Sequence, residues 1–206
     1  MKKIKTPTLF LVLLLIIQSC TKDRVPDPTT LNTSQTTIVS ENFDETSFIS
    51  PSLPSGWSAS PASGWQSDSS NFSTGYAAAS GSRNLVISND SVTNGDFILI
   101  SKSFSTVHFG SITVTYSSRC SKHFIDNGSV ISSFAYSTDE GTTWKNVPFT
   151  ENPNDSNWYL INTSVRLSLP AAANQASVKF RWVAHLKATP SGSYRIDDFQ
   201  VLGTSM

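Results

Sequence analysis

From residue 37 onward the chain is a succession of short apolar or alternating runs separated by Ser, Gly, Pro, Asn and Asp. No window sustains the 3.6-residue period of an amphipathic helix. That property restricts the fold more than any other. The longest alternating run is Ala176 to Leu186, with Val178, Phe180, Trp182 and Ala184 on one side and Lys179 and Arg181 on the other. Successive side chains of a strand point to opposite faces, so this run presents one buried face and one solvated face. Comparable runs are Thr37 to Phe43, Phe72 to Ala79, Asn84 to Ser88, Asp96 to Phe104, Ser111 to Ser117, Trp158 to Ile161, Ser164 to Leu169 and Tyr194 to Leu202. A Ser/Pro/Gly-rich stretch up to Gly64 is read as irregular, and Ala171-Ala172-Ala173 lies too close to Pro170 to make a helix. Many short strands with turns at short intervals predict an all-β fold, an antiparallel β-sandwich or jelly roll formed by residues 38–206.

One turn is more specific than the rest. An alternating strand from Val130 to Tyr136 and a shorter one from Trp144 to Phe149 flank Ser137-Thr138-Asp139-Glu140-Gly141-Thr142-Thr143-Trp144. This reads as a hairpin with glycine where φ is positive. Asp139 is expected to accept backbone N–H bonds from two residues on. Trp144 is expected to plug the hairpin and is assigned, with Trp57 and Trp182, to the core. The pattern S-x-D-x-G-x-T-W resembles the Asp-box of β-propeller sialidases and of several β-sandwich modules. A propeller needs about four strands in each of several blades, which about 165 folded residues cannot supply. The motif also occurs once and carries no catalytic group. Ser137, Asp139, Gly141 and Trp144 are therefore read as a structural lock.

The N-terminus has the form of an export signal. Lys2, Lys3 and Lys5 precede an apolar run from Leu9 to Ile17, too short for a bilayer span of about 20 residues. Ile16-Ile17-Gln18-Ser19-Cys20 resembles a bacterial lipobox, so residues 1–19 are read as a lipoprotein signal and Cys20 as the lipidated residue. An ordinary secretory signal with an incidental cysteine is the alternative. Thr21-Lys22-Asp23 resembles the surface-export signal of Bacteroidetes lipoproteins, and residues 20–37 read as a tether. These features predict an outer-membrane, cell-surface protein held by its acyl chains. With Cys20 acylated, Cys120 has no disulfide partner in the chain and is read as a small semi-buried side chain. Charged residues make up 15% of the chain, against about 25% in typical soluble domains. Without the signal, 12 basic residues face 15 acidic ones. Nothing in that balance favours nucleic acid as a partner.

The closing strand carries an anomaly of phase. Ile196 lies on one face by parity, but Phe199 and Val201 lie on the other. A one-residue bulge at Asp197-Asp198 would bring all three to the core and re-aim a carboxylate. Terminal strands are often neighbours in sandwiches, so Glu41 and Asp197 could share one hard cation. Oxygen ligands of this kind suit calcium. The alternative is that Asp197 and Asp198 cap turns or pair with Arg195 and Arg181.

The order of features has a family likeness. Glu41-Asn42-Phe43-Asp44 is followed by Leu53-Pro54-Ser55-Gly56-Trp57, Trp65, Gly95-Asp96-Phe97-Ile98-Leu99-Ile100-Ser101 and the Asp-box hairpin. Then come Trp158, Val178-Lys179-Phe180-Arg181-Trp182 and Tyr194-Arg195-Ile196-Asp197-Asp198-Phe199-Gln200-Val201. This arrangement resembles the cleaved-adhesin, or choice-of-anchor J, domains of Bacteroidetes surface proteins, which are MAM-like jelly rolls. The resemblance implies a non-catalytic β-sandwich that binds extracellular ligands and often carries structural calcium. Carried over by position, it implies Glu41 and Asp197 as calcium ligands, with Asp198 and Asp44 as helpers.

No catalytic pattern competes with that reading. The chain lacks G-x-S-x-G, H-E-x-x-H, a Walker A loop, G-x-G-x-x-G and C-x-x-C. Its three histidines, His108, His123 and His185, are scattered and are read as surface or rim residues. Two functions stay open. One is a surface module that binds a glycan or a host or matrix protein, with Trp65, Tyr76 and Trp158 as the aromatic candidates nearest loops. The other is a structural or assembly lipoprotein that docks onto an outer-membrane complex by a sheet edge or an apolar patch.

Overall fold

Strand alternation builds the molecule as expected, and β10 (Lys179–Leu186) is its centre. Phe180, Trp182, Ala184 and Leu186 are fully buried, while Lys179, Arg181 and His185 face outward and stay partly exposed. β10 is the middle strand of a five-stranded sheet with β2 (Ser58–Ser60), β5 (Gly95–Ile100), β7 (Val130–Ser137) and β8 (Lys145–Asn146) in the order β2-β5-β10-β7-β8. A second sheet has the order β3 (Trp65–Ser69), β4 (Arg83–Ser88), β11 (Ser193–Ser205), β6 (Phe109–Cys120) and β9 (Tyr159–Ile161), and β1 (Gln35–Glu41) also pairs with β11. All pairings are antiparallel. The two sheets make a jelly-roll β-sandwich. The computed structural model describes residues 34–45, 53–69, 79–88, 94–121, 124, 128–148, 159–161, 172–187 and 192–206, all within the compact unit Thr33–Met206.

Aromatic side chains from both sheets fill the core. Trp182 of β10 stacks on Trp57 with ring centroids 6.0 Å apart and meets Phe199 of β11 and Tyr116 of β6 edge-on at 5.5 and 5.6 Å. Phe134 of β7 stacks on Phe180 at 5.4 Å. These separations are those at which offset and edge-to-face pairs attract beyond simple burial. Cys120 is buried in the same core and is in no disulfide with a described residue.

Strand β11 shows the expected bulge. Its register shifts between Asp197 and Gln200, and Asp198 sits at φ 51°. Ile196, Phe199 and Val201 are all fully buried as a result. The bulge marks a change of partner. β6 runs along one edge of β11, while the other edge is shared by β4, opposite Ser193 to Ile196, and β1, opposite Phe199 to Thr204. The first and last strands are therefore neighbours, as anticipated.

Other expectations need adjustment. The Ser/Pro/Gly-rich stretch before Gly64 holds strand β2, and β3 follows at once. Both are edge strands, and their serines hide the alternation. β8 is two residues long instead of running from Trp144 to Phe149. Phe104 makes an isolated bridge to Val178 instead of extending β5. Residues 72–78 and 164–169, expected as strands, lie outside the described residues.

The bulge generates a test. Deleting Asp198 restores regular alternation and turns Phe199 and Val201 toward solvent, at about 1.5–3 kcal/mol for each side chain. The expected outcome is loss of a cooperative thermal transition in circular dichroism. A variant that melts like the parent would mean that the bulge does not set the phase.

Candidate functional site

The Asp-box turn is tied together by its own side chains. Ser137 Oγ donates to Asp139 Oδ1 at 2.7 Å and accepts the Gly141 N–H at 2.8 Å. Asp139 then takes the Thr143 N–H at 2.9 Å and the Thr143 hydroxyl at 2.6 Å. Its backbone partner is thus four residues on, not two, because Ser137 has already captured the Gly141 donor. Glu140 and Gly141 both lie at positive φ, 60° and 93°. The Thr143 hydroxyl, the Thr143 N–H and the Ser137 hydroxyl hold the Asp139 carboxyl down at about 2.

Trp144 is not a core residue. It stays partly exposed beside Gly141, where a Cβ would come within 3.3 Å of its ring. The Arg181 guanidinium lies over the indole, 4.5 Å from its centroid. The neighbour relation between β7 and β10 explains this, since it carries the turn onto the outer side of the sheet. Trp57 and Trp182 are buried as assigned.

Trp65, expected near a loop with a stacking face, is also corrected. It is 0% exposed. Parity in β3 sends Trp65 and Ser67 inward and Gln66 and Asp68 outward. The indole N–H donates to the Phe97 carbonyl of β5 at 3.3 Å and so ties one sheet to the other. Tyr76 and Trp158 lie outside the described residues, as does Cys20.

The four acidic residues divide. Glu41 is buried, accepts the Phe43 N–H at 3.3 Å and pairs with Lys102 at 3.5 Å. The other three close on the segment that enters β4. Asp197 Oδ2 accepts the N–H groups of Ala79 and Ser80 at 2.8 and 3.3 Å, and the Ser80 hydroxyl donates to Asp198. Asp44 Oδ1 takes the N–H groups of Ser82 and Arg83 at 2.6 and 2.8 Å. Gly81 lies against Asp44 so closely that a Cβ there would stand 1.5 Å from Oδ2, and its φ is 61°. Burial pushes the Asp197 carboxyl up to about 7, and the neighbouring Asp198 charge adds to the push, against the N–H groups that pull it down.

Oxygen donors of this kind suit calcium, which takes about six to eight oxygen ligands. Among the described residues, however, no three His, Cys, Asp or Glu side chains gather as metal ligands. The set fits calcium in chemistry and falls short in number.

The outer face of the β2-β5-β10-β7-β8 sheet carries several partly exposed side chains. Register places Ser58, Ile100, Arg181, Ala135 and Asn146 in one row across it. Ser60, Ile98, Val183 and Ser133 form the next. Asp96 and His185 pair beyond them at 2.7 Å. Ile98 and Ile100 are partly exposed there, Ala135 and Val183 are buried, and hydroxyl and amide groups with one guanidinium stand around them. The parity of β10 could have identified this face in the sequence, since Arg181 alternates with core aromatics.

Two pH dependences of opposite sign follow. Asp139 titrates lower in the folded chain, at about 2, than its ordinary 3.8, so its stabilising effect holds above pH 4 and is lost as pH falls through 2. Asp139→Ala should lower the melting temperature at pH 7, with the gap to the parent closing near pH 2. Asp197 titrates higher when folded, at about 7 against 3.8, so stability falls as pH rises from 4 through 7. Asp197→Asn should remove that fall in a metal-free buffer. Melting curves from pH 2 to 8 check both, and parallel curves for parent and variants would contradict them.

Comparison with known proteins places these features. No curated protein sequence matches the chain. Among solved structures it is similar to the K2 cleaved adhesin domain of Lys-gingipain, at 20% identity over 82% of this chain and 99% of that one, with a TM-score of 0.50. A Stig cyclase from Fischerella sp. TAU is similar at 13% identity over 84% and 99% of the two chains, with a TM-score of 0.52. The carbohydrate-binding module TmCBM61, solved with β-1,4-galactotriose, aligns at 17% identity over 76% and 97%, with a TM-score of 0.48. Identities this low speak to the fold alone, and the fold agrees with the cleaved-adhesin resemblance. The Reelin subrepeat B family description matches residues 64–201, from the strand that carries Trp65 to the end of the bulge that carries Asp197. The chain therefore belongs to the Reelin subrepeat B family.

Proposed function

We propose that this β-sandwich is a non-catalytic, adhesin-like binding module of the cell surface, related to the cleaved-adhesin and choice-of-anchor J domains. It takes a glycan or an extracellular protein on the outer face of the β10 sheet. The observation that carries this reading is the composition of that face. Ile98 and Ile100 are partly exposed beside Arg181 and Trp144, with Ser58, Ser60 and Asn146 exposed around them. Apolar surface with a few convergent polar groups is the usual composition of a ligand site. Among the described residues the one exposed large apolar side chain is Met206, at 74%. The lipobox-like ending at Cys20 supports an acyl anchor in the outer membrane. We further propose a structural calcium ion at Asp197 and Asp198, with backbone carbonyls supplying most of its ligands, since no three acidic side chains gather among the described residues. Glu41 and Asp44, expected as further ligands, are engaged with Lys102 and with the N–H groups of Ser82 and Arg83. Its charge would offset the penalty on ionised Asp197.

Three measurements test these proposals. A glycan and matrix-protein array should give micromolar-to-millimolar binders that Ile98→Asp weakens. An array without binders would sink the binding role. Cys20→Ser should move the protein from the membrane to the soluble fraction, and unchanged fractionation would exclude the anchor. Calcium should raise the melting temperature most above pH 7, where Asp197 is ionised, and chelation should reverse the gain. A melting curve indifferent to both would dispose of the ion.

A further inference from the structure

Among the described residues, the two basic side chains that flank Arg181 on the outer side of β10 have acidic partners. Lys179 pairs with Glu140 at 3.0 Å, and His185 with Asp96 at 2.7 Å. The side chain of Arg181, between them on β10, makes neither a hydrogen bond nor an ion pair with any described residue. Its contact is the Trp144 ring. Its Nε is buried and has no acceptor, while the residue as a whole stays partly exposed. Burial draws the Arg181 guanidinium below its ordinary value, yet arginine does not lose its proton in proteins. A charge fixed in this way, without an acceptor for its buried donor, is a costly arrangement to keep in a folded protein.

The Asp-box explains how the charge is held. Ser137 and Asp139 lock the turn, Gly141 leaves room for the indole, and the indole supports the guanidinium plane. Stacking on an aromatic face fixes the plane of the guanidinium. A fixed planar fork matches a carboxylate, which can take two parallel N–H bonds. The surroundings point to the rest of the ligand. Ser58 and Asn146 share the row of Arg181, and Ser60 and Ser133 lie in the row beside it. Such hydroxyl and amide groups suit the hydroxyls of a sugar better than an apolar side chain.

We propose that Arg181, braced by Trp144, is the carboxylate receptor of this face, and that its ligand is an acidic glycan carrying uronic acid residues. The assignment rests on the binding reading given above and narrows it to one ligand class. Trp144 acts as a positioning residue, since its ring supports the guanidinium.

The test uses the full chain and three probes: oligogalacturonate, neutral galactotriose and a poly-glutamate peptide. Binding is measured by calorimetry and by the Arg181 Nε–H signal in nitrogen-correlated NMR. Oligogalacturonate should bind more tightly than galactotriose and should move the Nε–H signal. Arg181→Gln should weaken the acidic probe by about tenfold or more, the usual scale for a hydrogen bond to a charged group, and should weaken it more than it weakens galactotriose. Arg181→Lys keeps the charge without the fork and should recover part of the loss, while its melting curve reports whether the fold survives. Equal affinity for acidic and neutral sugars would overturn the receptor and leave the glycan module standing. Failure of both sugars to bind would sink both readings. Poly-glutamate binding as tightly as oligogalacturonate would assign the fork to a protein partner and overturn the glycan class.

Discussion

The bulge at Asp197-Asp198 is the point on which the sheet built around β11 depends. One extra residue in β11 changes the phase of the strand, so that Ile196 before it and Phe199 and Val201 after it all enter the core. The same residue opens the edge of β11 where β4 leaves and β1 takes over. Backbone groups freed at such a break need partners. Asp197 accepts the N–H groups of residues 79 and 80, Asp44, just beyond β1, accepts those of residues 82 and 83, and Asp198 takes the Ser80 hydroxyl. Two carboxylates thus hold the backbone of one segment, and a third holds a side chain of it, against the place where two strands meet a third. The cost is a carboxylate in a dry setting, visible in the raised Asp197.

The sheet built around β10 solves a different problem. Its central strand must present aromatics to the core and charges to the outside, and β10 does so by strict alternation. The Asp-box turn follows β7, the neighbour of β10, and so reaches over the outer row. A motif suited to locking a hairpin then does a second thing, which is to seat an indole under an arginine. Rigidity in the turn becomes orientation of the guanidinium.

Legibility in the sequence followed the physics of period and parity. The bulge was visible because three large apolar residues were out of phase. The pairing of the terminal strands and the hairpin were visible because turn chemistry and order carried them. Trp65 was misplaced because its flanking serines read as loop, and only the pairing of β3 with β4 shows that it points inward. Trp144 was assigned inward because aromatics usually are, yet its surroundings are set by Arg181, which lies 37 residues away on another strand. Local sequence does not carry such a contact. The acidic residues were half legible. Their convergence on the entry to β4 depends on residues 79–83, which carry backbone donors and no side-chain pattern.

Strand β11 is paired with β6, β4 and β1 at once, and β1 lies at the far end of the described chain from it. Contacts so distant in sequence must close very large loops before they stabilise anything, which slows folding. A chain emerging from its N-terminus holds β1, β4 and β6 with no central strand to join them. Their edges stay open until β11 arrives, and open edges pair with other chains. The pairs β3-β4 and β6-β9 do not involve β11, but the sheet as a whole is joined only when this last strand is in place.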